Sequence, residues 1–237
     1  MLLERNDVSP DHVDTESGWT PLSCAARNGH EGVVKVLLER KEVNPNQADT
    51  QDGRTPLSWA AGNGHEGVVK MLLEREEVNP GHADTDYGYT PLSLAAQNGH
   101  EGVVKLLLER QDVNPNQPDT EYGATPLSFA AAAGYEEVVK ILLERKDVNP
   151  DQPDTQCGRT PLSWAAENRH HEVVKMLLER EDVNPDPADT EYGRTPLSWA
   201  ARRGHKRIVK MFLELEGISL DEVDTECGKT PFPSFVR

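Results

Sequence analysis

Two kinds of apolar segment alternate along the chain, separated by polar connections. The first is a short stretch of small residues that starts at Thr20-Pro21 and ends at Asn28-Gly29. Thr is a favourable N-cap, Pro fits the first helical position, and Gly adopts the left-handed conformation that ends many helices. The second segment, at about 31–40, places Val and Leu in a broad apolar stripe typical of a helix. Residues 43–52, rich in Pro, Asn and Asp, are predicted to be an extended loop.

This pattern recurs with a period of 35 residues, because Thr-Pro begins at residues 20, 55, 90, 125, 160, 195 and 230. Such a period is typical of stacked arrays in which each helix pair buries its apolar face against the next. We therefore predict an all-α solenoid of six stacked helix-turn-helix units with long polar loops and no substantial sheet. The units lie within 18–229, at about 18–52, 53–87, 88–122, 123–157, 158–192 and 193–227. A partial unit at 1–17 precedes them, and a truncated stub at 228–237 follows.

The repeated motif resembles the ankyrin repeat. The resemblance is carried by Thr20-Pro21-Leu22, Ala25-Ala26, Gly29-His30, Val33-Val34 and Leu37-Leu38 and their equivalents in the other units. The family's usual period is about 33 residues, so the longer unit predicts a longer loop. Ser23 stands where the family usually has His, and Lys41-Glu42 where it has Gly-Ala. The near-identical 35-residue units are similar to long ankyrin arrays of filamentous fungi, which are often appended to receptor-like proteins. Leu2-Leu3-Glu4-Arg5 aligns with Leu37-Leu38-Glu39-Arg40, so we expect an array cut from a longer chain, with a fragmentary first unit as the alternative.

Composition restricts the possible partners. The formal net charge is −16, with 41 acidic and 25 basic residues, which argues against a general nucleic-acid binder. No stretch approaches the roughly 20 apolar residues of a membrane helix, so no membrane partner is expected. Three cysteines do not suggest a disulfide framework. We expect an intracellular protein, either cytoplasmic or nuclear.

No catalytic or metal-binding constellation is predicted, and no cofactor is implied. His30, His65, His100, His170 and His205 share one repeated position, which favours a structural role. Helix spacing of about 8–10 Å would keep them too far apart to share an ion. The Ser of each Thr-Pro-Leu-Ser recurs in every unit and is interpreted as a helix-capping residue. The chain is therefore predicted not to be an enzyme.

Aromatic residues concentrate in three positions of the unit: directly before the loop glycine, directly before Thr-Pro, and directly after Ser. These positions hold nine of the thirteen aromatic residues. In ankyrin repeats the matching positions line the concave, partner-binding face. For Trp59, Trp164 and Trp199 the alternative is a packing role with one exposed edge. The candidate partner-binding residues are Trp19, Trp59, Tyr87, Tyr89, Leu94, Tyr122, Phe129, Ala132, Trp164, Tyr192 and Trp199.

The fourth unit departs most from the others. Ala124, Phe129, Ala132 and Ala133 remove bulk and charge, which predicts a shallow apolar patch. Its predicted rim is Tyr87, Tyr89 and Tyr122. An apolar centre with a polar rim is common at protein interfaces. Replacing Phe129 and Tyr122 with alanine is then expected to weaken binding without loss of helix.

Charged residues suggest the nature of a partner. Acidic residues at the loop tips would steer a basic partner; they are Asp14, Glu16, Asp49, Asp52, Asp84, Asp86, Asp119, Glu121, Asp189 and Glu191. A basic cluster between Arg202 and Lys210 at the last unit is interpreted as a solvated end or as a contact for an acidic ligand.

The sequence thus predicts a non-enzymatic scaffold that binds a protein or peptide. Two alternatives remain open: a structural spacer or assembly module of a larger protein, and an array with a small-molecule or catalytic site, around Cys24 or the fourth unit. We expect a monomer, with end-to-end association as the alternative.

Overall fold

A computed structural model describes residues 9–215, and these contain twelve α-helices and no strand. The predicted stub at 228–237 and the start of the partial first unit lie outside this range. The helices are α1 Pro21–Arg27, α2 Glu31–Leu38, α3 Pro56–Gly62, α4 Glu66–Leu73, α5 Pro91–Gln97, α6 Glu101–Leu108, α7 Pro126–Ala133, α8 Glu136–Glu144, α9 Pro161–Glu167, α10 His171–Leu178, α11 Pro196–Arg202 and α12 Lys206–Leu213. The odd-numbered helices are called first helices and the even-numbered ones second helices. The predicted all-α solenoid is confirmed.

Each first helix begins where the sequence places its capping residues. Thr20 accepts a hydrogen bond from the backbone N–H of Ser23 at 3.1 Å, and Pro21 follows at the first helical position. The Ser23 hydroxyl lies 3.1 Å from the Thr20 hydroxyl in a buried site. The same pair closes the N-terminus of all the other first helices. Thr therefore supplies the capping oxygen, and the repeated Ser contributes the backbone N–H that it accepts and a hydroxyl that pairs with it.

The core runs through the whole stack between the two helix layers. Leu22, Ala26 and Val34 are fully buried, as are their equivalents in the next four units, whereas in the last helix pair Ala201 is exposed and Val209 is half-buried. First helices pack on first helices and second helices on second helices. The first helices contact one another more extensively, because their Ala-Ala faces allow close approach. Such packing curves a solenoid toward the first-helix side.

The repeated histidines join neighbouring units. The ring Nε2 of His65 lies 2.9 Å from the carbonyl oxygen of Arg27, at the end of the preceding first helix. His100, His170 and His205 make the same contact with the preceding unit at 2.8–3.0 Å. These bonds satisfy carbonyl groups that a helix end would otherwise leave unpaired. The structural interpretation of this position is confirmed for these four rings.

Arg169 is the one non-glycine residue with positive φ within residues 9–215, at 70°. Glycine holds the equivalent turn elsewhere, and a Cβ atom there would crowd the next unit: at Gly134 it would lie 2.2 Å from Nδ1 of His170. A side chain in this conformation costs about 1 kcal/mol relative to glycine.

We therefore expect Arg169→Gly to raise the melting temperature by about 2–4 °C, since roughly 1 kcal/mol shifts a chain of this size by that amount. Thermal unfolding followed by circular dichroism measures the change. The reverse substitution, Gly134→Arg, is the matched control and should lower it. A lower melting temperature for Arg169→Gly would contradict this turn geometry.

The polar loops are joined by a ladder of side-chain amides. Nδ2 of Asn46 donates to the carbonyl of Glu77 at 2.6 Å, and its Oδ1 accepts from the N–H of Asn79 at 2.8 Å. Asn116 repeats both bonds with the next loop. Asp151 holds the equivalent position but has no N–H to donate. Its Oδ2 accepts from the N–H of Asn184 at 2.7 Å, whereas Oδ1 is buried with no hydrogen-bond partner within the described chain.

Asp151→Asn is expected to raise the free energy of unfolding at pH 7 by about 1 kcal/mol, because the amide supplies the missing donor. Burial raises the pKa of Asp151, and the charge of Asp182 acts in the same direction. A raised pKa in the folded state means that the carboxyl contributes stability at acidic pH and loses it as the pH rises. The advantage of the amide variant should therefore shrink near about pH 3. Urea unfolding at both pH values tests this, and an advantage that grows on acidification would contradict it.

Candidate partner-binding face

Six turn segments form one row beside the first helices. Each segment runs from an Asp to the residue before Thr-Pro, and the six are 14–19, 49–54, 84–89, 119–124, 154–159 and 189–194. In the 119–124 turn, the carboxylate of Asp119 accepts backbone N–H bonds from Glu121, Tyr122 and Ala124 at 2.6–2.8 Å. The other turns are organised in the same way around their own Asp. The acidic residue therefore fixes the shape of the turn.

Backbone bonds also connect neighbouring turns. The N–H of Thr120 donates to the carbonyl of Tyr87 at 2.7 Å, and that of Thr155 donates to Tyr122 at 2.8 Å. A bond at the same position connects the remaining pairs of neighbouring turns between residues 14 and 194. The row is consequently held in register, and it presents side chains at fixed positions.

The acidic rim predicted from the sequence needs correction. Asp49, Asp84, Asp119 and Asp189 are buried, because their oxygens accept the hydrogen bonds that shape the turns. They cannot act as exposed steering charges. The acidic side chains that remain exposed in the turns are Asp14, Glu16, Asp86, Glu121 and Glu191.

Three tryptophans complete the hydrogen bonding of these carboxylates. Nε1 of Trp59 donates to Oδ2 of Asp49 at 2.8 Å. Trp164 and Trp199 make the same bond with the Asp ten residues earlier, at 3.0 and 2.8 Å. Trp164 and Trp199 are buried and Trp59 is half-buried. The alternative considered above, a packing role for these rings, describes their contacts.

Arginines directly before Thr-Pro cover the same rings. The guanidinium of Arg159 lies 4.6 Å from the ring centre of Trp164 and 3.8 Å from that of Trp199. Arg54 lies 5.0 Å from Trp59, and Arg194 lies 4.9 Å from Trp199. Such cation–π contacts stabilise the stack. They explain why rings outside the main core are still shielded from solvent.

A buried ion cluster lies under this layer. Nη1 of Arg159 and Oε2 of Glu167 are 2.7 Å apart, and both side chains are about 1% exposed. The other carboxylate oxygen of Glu167 accepts from Nη2 of Arg203 at 2.6 Å. The cluster links the last two helix pairs of the described chain. Sequence reasoning missed it, although the opposite charges at positions 36 residues apart were a usable signal.

A second apolar cluster, separate from the main core, lies in the middle of the row. Its buried members are Tyr89, Leu94, Ala124 and Phe129, and Tyr122 packs against them. Tyr89 meets Phe129 edge to face, with ring centres 5.4 Å apart. Tyr87 stacks on Tyr89 at 5.4 Å and is 38% exposed. We call these six residues the central patch.

The eleven candidate residues divide by exposure. Tyr87 is exposed, and Trp19, Trp59, Tyr122 and Ala132 are half-buried. The other six are buried, so little of their surface is available to a partner: Tyr89, Leu94, Phe129, Trp164, Tyr192 and Trp199. Neighbouring rings and arginines cover them. Tyr89 in particular lies beneath Tyr87 rather than at the rim.

Electrostatics make the central patch negative. Burial, followed by the charges of Asp119 and Glu121, raises the pKa of Tyr89. Burial also raises the pKa of Asp52, and the nearby charge of Asp86 adds to this effect. Burial is the larger cause of both shifts, and the neighbouring carboxylates add to it, so the surroundings of these two groups are acidic.

Neither described cysteine has the environment of a catalytic nucleophile. Cys24 is exposed as a residue, but partial desolvation of its thiol, followed by the charge of Asp14, raises its pKa. The buried thiol of Cys157 donates to Oε2 of Glu191 at 3.1 Å, and burial raises its pKa to about 12. Low-pKa thiolates are the reactive form of cysteine. The geometry thus gives no support to a thiol-based reaction at these two positions.

Residues 9–215 contain no group of three or more His, Cys, Asp or Glu side chains arranged to hold a metal ion. Over that range, none of the helices has the length and apolar character needed to cross a membrane. The predicted basic cluster is partly neutralised, because Arg203 pairs with Glu167 and Arg207 pairs with Glu172 at 3.0 Å.

Comparison with known families agrees with the stacked architecture. A sequence model of three ankyrin repeats matches residues 1–84, 76–154 and 146–224. A search of curated proteins finds no match to the chain. Together the family matches cover nearly the whole chain, and the helix pairs follow their period. The chain belongs to the ankyrin-repeat family.

Proposed function

We propose that the chain is a non-enzymatic scaffold that binds a protein or peptide through the first-helix face, with the central patch as the main contact. Ankyrin repeats generally mediate protein–protein interactions. The observation that carries the proposal is the exposed Tyr87 ring beside half-buried Tyr122, above a packed apolar base. Tyrosines supported in this way are frequent hot spots of interfaces.

Rigidity of the face supports the same proposal. The turns are fixed by buried carboxylates and by backbone bonds between neighbours. A partner would therefore lose little affinity to ordering of the array on binding. An intracellular location belongs to the proposal and is supported by the free thiols of Cys24 and Cys157.

The proposal predicts that Tyr87→Ala combined with Tyr122→Ala lowers affinity at least about tenfold, since truncating a hot spot costs about 2 kcal/mol or more. The ligands are peptides selected from a displayed random 12-residue library on the unaltered chain. Titration calorimetry measures their affinities. Circular dichroism checks that the variant keeps its helices.

The matched control is Val33→Ala combined with Val36→Ala. These two side chains are about half exposed and lie on α2, in the other helix layer. The control should bind the selected peptides as the unaltered chain does. Equal affinity of all three proteins would remove the central patch as the binding site.

A further inference from the structure

The residue directly before Thr-Pro differs between the central patch and three of the other turns. The 14–19 turn has Trp19 there, with the guanidinium of Arg27 at 4.6 Å from its ring centre. Arginine holds this position in the 49–54, 154–159 and 189–194 turns, and in each case it lies within 5.0 Å of the ring centre of a tryptophan. Ala124 holds it in the 119–124 turn, and Tyr89 holds it in the 84–89 turn. The array therefore supplies its own guanidinium on both sides of the patch but not within it.

The 189–194 turn is a matched comparison for the 119–124 turn. The first five residues of both turns read Asp-Thr-Glu-Tyr-Gly, and only the last differs. In the 189–194 turn, the guanidinium of Arg194 lies 4.5 Å from the ring centre of Tyr192, which is buried. In the 119–124 turn, alanine replaces that arginine and the equivalent Tyr122 is half-buried. Loss of one guanidinium thus coincides with exposure of one ring.

Charge at the patch favours a cation. The 84–89 and 119–124 turns contain four carboxylates and no Lys or Arg. Asp84 pairs with Arg54 at 3.1 Å, whereas Asp119 is held by backbone N–H groups. Asp86 and Glu121 are exposed beside the two tyrosines. A partner cation would therefore meet both aromatic rings and unneutralised carboxylates.

We infer that the partner places an arginine side chain on the central patch, next to Tyr122 and above Ala124, where the array's own arginine lies in the matched turn. This inference rests on the proposed function. An arginine is favoured over a lysine because the planar guanidinium stacks on rings and pairs with carboxylates at the same time. In the 49–54, 154–159 and 189–194 turns the array itself places an arginine on a ring.

The sharpest test is Ala124→Arg, which gives the 119–124 turn the sequence of the 189–194 turn. Because that sequence already folds in this chain, the variant should retain its helices. Its own guanidinium should compete with that of the ligand. Peptides selected on the unaltered chain are expected to contain arginine and to bind Ala124→Arg at least about tenfold more weakly, the range of a desolvated cation–π contact. Changing that peptide arginine to glutamine should lower the affinity for the unaltered chain by a similar factor.

A second variant keeps the test decisive if Ala124→Arg does not fold. Asp86→Asn combined with Glu121→Gln alters only exposed side chains. This variant should bind the arginine-containing peptides more weakly, and their affinity for it should depend less on salt concentration. Selected peptides without arginine, or peptides that bind both variants with unchanged affinity, would overturn this inference and leave the proposed function in place. If no peptide bound the unaltered chain, both the proposed function and this inference would be contradicted.

Discussion

Glu167→Gln is expected to lower the free energy of unfolding by about 3 kcal/mol, because it removes the one carboxylate that neutralises a buried arginine. Arg159 is about 1% exposed and lies between Trp164 and Trp199. The amide keeps the shape of the side chain, so the loss reports on charge rather than on a cavity. Urea unfolding monitored by tryptophan fluorescence measures it.

A matched control separates this buried cluster from a surface ion pair. Glu172→Gln breaks the contact with Arg207, which has a similar distance of 3.0 Å but lies between exposed side chains. An exposed pair contributes less than about 1 kcal/mol. Similar losses for Glu167→Gln and Glu172→Gln would show that the cluster is not effectively buried. Adding Arg159→Leu to Glu167→Gln should recover part of the stability, since the uncompensated charge is then gone.

Phe129→Ala is expected to lower the free energy of unfolding by about 3 kcal/mol. The ring is 6% exposed and fills the base of the central patch against Tyr89. The sequence alone predicts an effect on binding without loss of helix, and the burial of Phe129 adds an expected loss of stability to that prediction. Thermal and urea unfolding measure the cost. Tyr122→Ala is the control and should cost less, since Tyr122 is half-buried. A stable Phe129→Ala variant would mean that the patch is not a packed cluster.

Much of the fold could be predicted from the sequence because its signals are local and repeated. The Thr20-Pro21 cap and the turn at Gly29 mark the ends of α1, and their equivalents recur in the other units. The 35-residue period then fixes how the pairs stack. Arg169 illustrates the strength of the pattern, because it adopts the left-handed turn even without glycine.

The burial of individual candidate residues could not be predicted, because it depends on contacts between units. Arg159 holds the position directly before Thr-Pro, which the resemblance to ankyrin repeats assigns to the partner-binding face, yet its guanidinium covers Trp199 from the next helix pair. Asp119 was read as a charge at a loop tip, yet three backbone N–H groups surround its carboxylate. Such contacts depend on the positions of single side chains within the stack, which neither the period nor the composition specifies.

Hydroxyl-radical footprinting with mass spectrometry, in the presence and absence of a selected peptide, tests the central claim most directly, because it reports side-chain exposure at single residues. The account predicts that modification of Tyr87 and Tyr122 slows when peptide is bound, while Val33, Val36 and Leu213 of the second helices, all exposed, react as before. Unchanged rates at both tyrosines, with protection on the second helices instead, would contradict binding at the central patch.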